Sequence, residues 1–140
     1  MPSNVRYLKD RAAAESEKIT LNLGYVDLGR IDLLVREGFY SNRTDLIRSA
    51  IRTHLDKHAA DLKQSVVRHT MDVGLRDFSR GELEAVRTSG KKLEIRVVGL
   101  ARIARDVSPE LALATIGSIT VLGALQASDE VKAALAGRIA

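Results

Sequence analysis

The chain has no cysteine. Disulfide frameworks, thiol catalysis and cysteine-based zinc sites are therefore excluded, and the composition suits a reducing compartment such as the cytoplasm. Aromatic residues make up 4% of the sequence against 45% for all hydrophobic residues. Any core must be aliphatic, and there is enough apolar material to build one rather than leave the chain disordered. No apolar run approaches the ~20 residues that span a bilayer. The N-terminal stretch MPSNVRYLKDRAAAESEK lacks the apolar segment of a secretory signal. Catalytic patterns are equally scarce, with no phosphate-cradling glycine loop and no nucleophile elbow. The histidines are His54, His58 and His69. Two of them lie four residues apart on an expected helix, and no third ligand accompanies them. The sequence thus points to no enzyme, cofactor, metal or membrane. The net charge of +4 permits a nucleic-acid partner without requiring one.

Residues 17–23, EKITLNL, carry the most information. Ile19, Leu21 and Leu23 alternate with Lys18, Thr20 and Asn22. Successive strand residues point to opposite faces, so one face is aliphatic and the other bears only hydrogen-bonding groups. No partner strand follows nearby, and a lone strand can neither satisfy its backbone nor stand alone. The expected partner is the same strand in a second copy of the chain. Residues 1–16, with Arg6, Lys9 and Arg11, are expected to be a mobile arm.

Gly24 marks a turn into a helix over about 26–37, with Leu28, Ile31, Leu34 and Val35 on one face. Asp27 and Asp32 are expected on its outer face. Gly38 sits where a helix-terminating glycine belongs. Ser41 or Asn42 then caps a second helix in which Leu46, Ile47, Ala50, Ile51 and Leu55 form the apolar stripe. Arg43, Arg48 and Arg52 lie outside that stripe. With no Gly or Pro in HLDKHAADLKQSVV, this helix is expected to run on as a stalk.

Residues 17–57 resemble the ribbon-helix-helix DNA-binding family in its CopG-like branch. The resemblance rests on EKITLNL, on IDLLVREGFYSNRTDLIRSAIR and on the short connection between them. It implies an intertwined homodimer. The two strands pair into one antiparallel ribbon over a core that includes Ile19, Leu21, Leu23, Ile31, Leu34, Ile47 and Ile51. Such a ribbon enters the major groove of double-stranded DNA. Lys18, Thr20 and Asn22 would then face the bases, and their side chains can bond guanine, adenine and thymine edges. Ser41, Asn42 and Arg43 would seat a backbone phosphate at the start of the second helix. Arg43 could equally pair with an acid.

The second half repeats itself. IRVVGLARIARDV from Ile95 and ITVLGALQASDEV from Ile119 are offset by 24 residues. A weaker copy, MDVGLRDFSRGEL, places Gly74 25 residues before Gly99. Each copy is expected to be a short strand, a glycine, a bend and a helix. Ser79 with Glu82, Ser108 with Pro109, and Ser128 with Asp129 and Glu130 mark the helix starts. Such a strand–helix repeat predicts a small solenoid-like α/β domain with parallel strands.

The overall expectation is an α+β chain with an arm (1–16), a ribbon-helix-helix unit (17–58), a helical connection (59–69) and an α/β repeat domain (70–140). Its expected role is sequence-specific transcriptional regulation as a repressor or autoregulator. Residues 70–140 would promote higher homo-oligomers, since an open first strand near Met71–Leu75 could join one dimer to the next. The rival reading is an antitoxin or a plasmid maintenance or conjugation accessory protein whose second half binds a protein partner.

Overall fold

The computed structural model describes residues 15–140. All but the last two residues of the expected N-terminal arm lie outside that range. The chain divides into two compact units, Met1–Leu62 and Lys63–Ala140.

In the first unit, residues 16–24 form no helix, turn or ladder within the chain. Helix α1 (Tyr25–Arg36) follows behind Gly24. Its end is fixed by glycine geometry: Gly38 adopts a φ of 87°. The Gly38 N–H donates to the Val35 carbonyl at 3.1 Å and the Phe39 N–H to the Leu34 carbonyl at 3.0 Å. This paired closure needs a left-handed residue, which glycine supplies without a Cβ clash. Helix α2 (Arg43–Lys57) is capped by Asn42, whose side chain accepts from the Asp45 N–H. The two helices are in contact, and Leu28, Ile31, Val35, Leu46 and Ile47 are half-buried.

The expected continuous stalk is broken. Helix α2 ends at Lys57, His58 leaves helical geometry with φ −100° and ψ 13°, and helix α3 (Ala59–Arg68) starts afresh. His58 closes α2 through its N–H to the Leu55 carbonyl at 3.0 Å. It also opens α3, because its carbonyl accepts from the Leu62 N–H at 2.9 Å. Its ring Nδ1 lies 3.4 Å from an Asp61 carboxylate oxygen, so side chain and backbone together make a local helix start.

The second unit is three strand–helix pairs. Strand β1 (Asp72–Phe78) leads to α4 (Arg80–Ser89), β2 (Leu93–Ile103) to α5 (Pro109–Thr115), and β3 (Ile116–Gln126) to α6 (Asp129–Ala134). The strands are parallel in the order β1-β2-β3. The register reproduces the repeat: Gly74 pairs with Gly99 and Gly99 with Gly123, while Ile95 pairs with Ile119. All three helix starts are capped by their serine hydroxyls. Ser79 accepts from Glu82 N–H, Ser108 from Leu111 N–H and Ser128 from Val131 N–H, at 3.1–3.2 Å. The core lies between the sheet and the helices and includes Phe78, Leu83, Ile95, Val97, Ala101, Leu111, Ile116, Ile119, Val131 and Leu135. It is almost wholly aliphatic, as the aromatic-poor composition requires.

The strands do not stop at their glycines, contrary to the short-strand expectation. β2 and β3 each run for 11 residues, with the glycine inside. Gly74, Gly99 and Gly123 all have positive φ, at 119°, 137° and 123°. Because they stand in register, the three strands pass through this unusual conformation together and the ladder continues on both sides. A Cβ at Gly99 would run into the Gly74 carbonyl oxygen, and one at Gly123 into that of Gly99. At Gly74 the same direction is open.

A pair of alanine substitutions separates the two effects. Gly74→Ala should carry only the backbone strain of a positive φ, about 1–3 kcal/mol. Gly99→Ala adds a collision with backbone and should destabilise the second unit by about 3 kcal/mol or more. Urea unfolding followed by circular dichroism gives both values. Equal losses would mean that the column is not tightly packed.

Candidate nucleic-acid interface

The candidate residues fall on two stretches, residues 17–23 and the first turn of α2. Lys18, Thr20 and Asn22 are exposed. Their aliphatic neighbours are exposed too: Ile19 is 77% and Leu21 60% accessible. Both faces of this segment are therefore open in the single chain. The expected dimer-core residues on the helices divide. Ile31 and Ile47 are half-buried, whereas Leu34 and Ile51 are exposed, Ile51 at 51%. No described residue before Phe78 is buried. Helices of this length do not stand in water without a covered apolar face. The exposed aliphatic side chains of residues 19–23 and of Leu33, Leu34, Ile51 and Leu55 thus have much to gain from being covered.

The first turn of α2 is a hydrogen-bonded knot. Asn42 Oδ1 accepts from the Asp45 N–H at 2.8 Å, and Asp45 Oδ2 accepts from the Ser41 N–H at 2.9 Å. Asn42 holds the Asp45 backbone and Asp45 holds the Ser41 backbone, so residues 41–45 are locally preorganised. The N–H groups of Arg43 and Thr44 stand in the first turn, where a helix offers no internal acceptor. They project at the positive end of the helix dipole.

Arg43 is held differently. Its Nε donates to Asp32 Oδ1 at 2.7 Å and its Nη2 to Asp32 Oδ2 at 2.8 Å. This two-point bond ties α2 to α1. Asp32 is therefore a partner of the second helix and not a free acid of α1's outer face. The sequence leaves open whether Arg43 pairs with an acid, and the partner is not legible there because it lies 11 residues back across a turn. Asp45 was also missed. Its position three residues after Asn42 is a capping-box spacing that could have flagged it. Of the histidines, His54 and His58 meet edge to face with ring centroids 5.3 Å apart. Among the described residues, no cluster of three or more His, Asp or Glu is arranged to hold a metal ion.

Residues 14–132 match the model of the ribbon-helix-helix transcriptional regulator family. The match covers most of the chain and includes nearly all of the repeat domain, so the protein belongs to this family. It is a DNA-binding transcriptional regulator. No curated protein and no solved structure gives a significant match. Among the described residues, no helix is long and apolar enough to cross a membrane.

The ion pair gives a pH signature. The hydrogen bonds from Arg43, then its charge, hold the Asp32 carboxyl below the ordinary aspartate range, and the same contact raises Arg43. A carboxylate with a depressed folded pKa contributes stability that is fully present above its unfolded value. That contribution is lost as the pH falls through the folded value. The pair is about half exposed, with side-chain accessibilities of 56% and 52%, so its effect is modest. Thermal melts of the wild type and Arg43→Ala should differ near pH 6 and converge toward about pH 2. A constant gap would assign the loss to packing instead of charge.

Proposed function

We propose that the protein is a sequence-specific repressor or autoregulator that reads DNA as an obligate homodimer. Residues 17–23 of two copies pair antiparallel into a two-stranded ribbon. Ile19, Leu21 and Leu23 turn inward onto Leu34 and Ile51, and Lys18, Thr20 and Asn22 turn outward into the major groove. The observation that carries this reading is the alternating segment itself, exposed at polar and aliphatic positions alike and followed by two helices without a buried residue. Pairing across a dyad satisfies its backbone and covers the aliphatic surface in one step.

The preorganised turn at 41–45 positions the complex. The Ser41 hydroxyl and the N–H groups of Arg43 and Thr44 take a phosphate, and Asn42 holds the turn in shape for it. Arg43 adds charge to this corner while bound to Asp32. A dimer seated in the groove excludes other proteins from the same DNA, and for that reason we read its action as repression or autoregulation in the cytoplasm. The second unit favours assembly. Among the described residues β1 is an edge strand with no further partner, its Val73 and Leu75 are exposed, and such an edge pairs readily with another chain.

The decisive experiment uses a duplex selected by the wild type from a random pool. Thr20→Ala and Asn22→Ala should each weaken binding to it by about 1–3 kcal/mol and relax selectivity at one position per half-site. Binding to random duplex should hardly change. Equal losses on both duplexes would assign these residues to the backbone and overturn the base-reading role. Wild-type affinity should also fall steeply with salt as counterions are released. Separately, Gly74→Ala places a methyl group toward the open β1 edge, where the described chain leaves space. It should abolish cooperative occupation of adjacent sites in footprinting while single-site affinity stays unchanged. Retained cooperativity would remove the β1 edge from the assembly.

A further inference from the structure

The sheet of the second unit has one face that α4, α5 and α6 leave uncovered, touched at one end where Arg96 donates to the His69 carbonyl at 3.1 Å. Inward positions of β2 are settled by burial: Ile95, Val97, Ala101 and Ile103 belong to the core. The alternate positions, Glu94, Arg96, Val98, Leu100 and Arg102, therefore point the other way. Register carries the pattern across the strands. Val73, Val98 and Leu122 form one row, and Leu75, Leu100 and Ala124 the next. Val73 is 69% exposed and Leu122 60%. Each repeat contributes one aliphatic residue to each row, so the patch is a product of the repeat and not a scatter of single side chains. Helices α4, α5 and α6 stand on the opposite side, where Leu83, Leu111 and Val131 join the core. Parallel sheets are ordinarily covered on both faces.

We propose that this helix-free face packs against the same face of the second copy, sheet on sheet, with Val98 and Leu100 about the dyad. The inference rests on the homodimer reading above and names a second contact within that dimer. Two observations select a tethered copy of the chain as the occupant. First, two rows across three strands give a footprint of about 200 Å². Independent partners normally bury about 800 Å² each. The patch is too small to recruit a free partner, yet adequate for one already held nearby, since a short tether gives an effective concentration in the millimolar range. Second, the rim is self-complementary. One end of the patch carries Glu94 beside Arg96, with nitrogen and oxygen 3.7 Å apart. The other carries Asp77 bound to Arg102 at 2.8 Å. A two-fold rotation lays one end over the other, and each acid and base then meets a mixed pair instead of a like-charged array.

The chain's lack of cysteine makes the test clean. Val98→Cys introduces a single thiol at the centre of the patch, and Arg87→Cys one on the exposed side of α4 as a control. A short bis-maleimide spans the ~10 Å between packed sheets. With the full chain at concentrations where light scattering gives a dimer, Val98→Cys should yield covalent dimer at least ten-fold faster than Arg87→Cys. Adding Leu122→Glu to Val98→Cys should reduce that rate at least ten-fold, with circular dichroism and the dimeric mass unchanged. A dimeric mass with equally slow cross-linking at both positions would overturn the face contact while sparing the ribbon dimer. Cross-links confined to species above the dimer would overturn its placement within the dimer. A monomeric mass throughout would overturn the ribbon reading and this inference together.

Discussion

An aliphatic surface that a single chain leaves uncovered governs the N-terminal half of this protein. From residue 15 to residue 77 nothing is buried, although Ile19, Leu21, Leu23, Leu34, Ile51 and Leu55 are all present to be buried. Local devices fix the shape of the two helices: the Gly38 closure, the Asn42–Asp45 knot and the Arg43–Asp32 clamp. Those devices set geometry but supply little net stability, because each is at the surface and exchanges protein contacts for water contacts. The driving force has to come from apolar burial, and in our reading a second copy supplies it. The same pairing that completes the core exposes Lys18, Thr20 and Asn22 together on the outside. Folding and DNA reading then become one event.

The second unit solves the opposite problem. Its core is closed within one chain, with Leu83, Ile116, Ile119 and Leu135 fully buried. A column of glycines at positive φ lets three parallel strands bend in step. The far edge of the sheet is partly covered by the chain's end: Ile139 bridges to Ile119, and Arg138 donates to the Leu113 and Ile116 carbonyls. The β1 edge has no such cover among the described residues. This asymmetry is why our proposal places association at the β1 edge rather than at the β3 edge.

Much of this was legible from residue spacing. The 24- and 25-residue offsets of Gly74, Gly99 and Gly123 became the strand register, and three serines became three helix caps. The limits were physical. A glycine in a strand pattern reads as a stop, because one chain's sequence does not show that neighbouring strands will share the kink. The α2–α3 break carries no glycine or proline; His58 makes it through its own carbonyl and its contact with Asp61, in a stretch of good helix formers. The Arg43–Asp32 clamp depends on how a turn folds back, which spacing along the chain does not reveal. In the candidate interface, the alternation of 17–23 gave the chemistry of each face but not what covers the aliphatic one.

On the dimer we propose, the two units respond differently to concentration and to DNA. A unit whose core is completed by a second copy has a stability inseparable from protomer concentration, and a ligand that binds only the dimer stabilises it by mass action. The second unit needs neither, since its buried residues belong to one chain. Joining the two gives the dimer a folded anchor that persists when the ribbon opens. If the helix-free sheet faces also meet across the dyad, that anchor keeps both ribbon strands within reach of each other. Re-forming the ribbon is then an intramolecular step whose effective concentration is set by the short chain between the units. A small aliphatic patch, too weak to hold strangers, would in this way make a weak two-stranded ribbon persistent enough to read DNA.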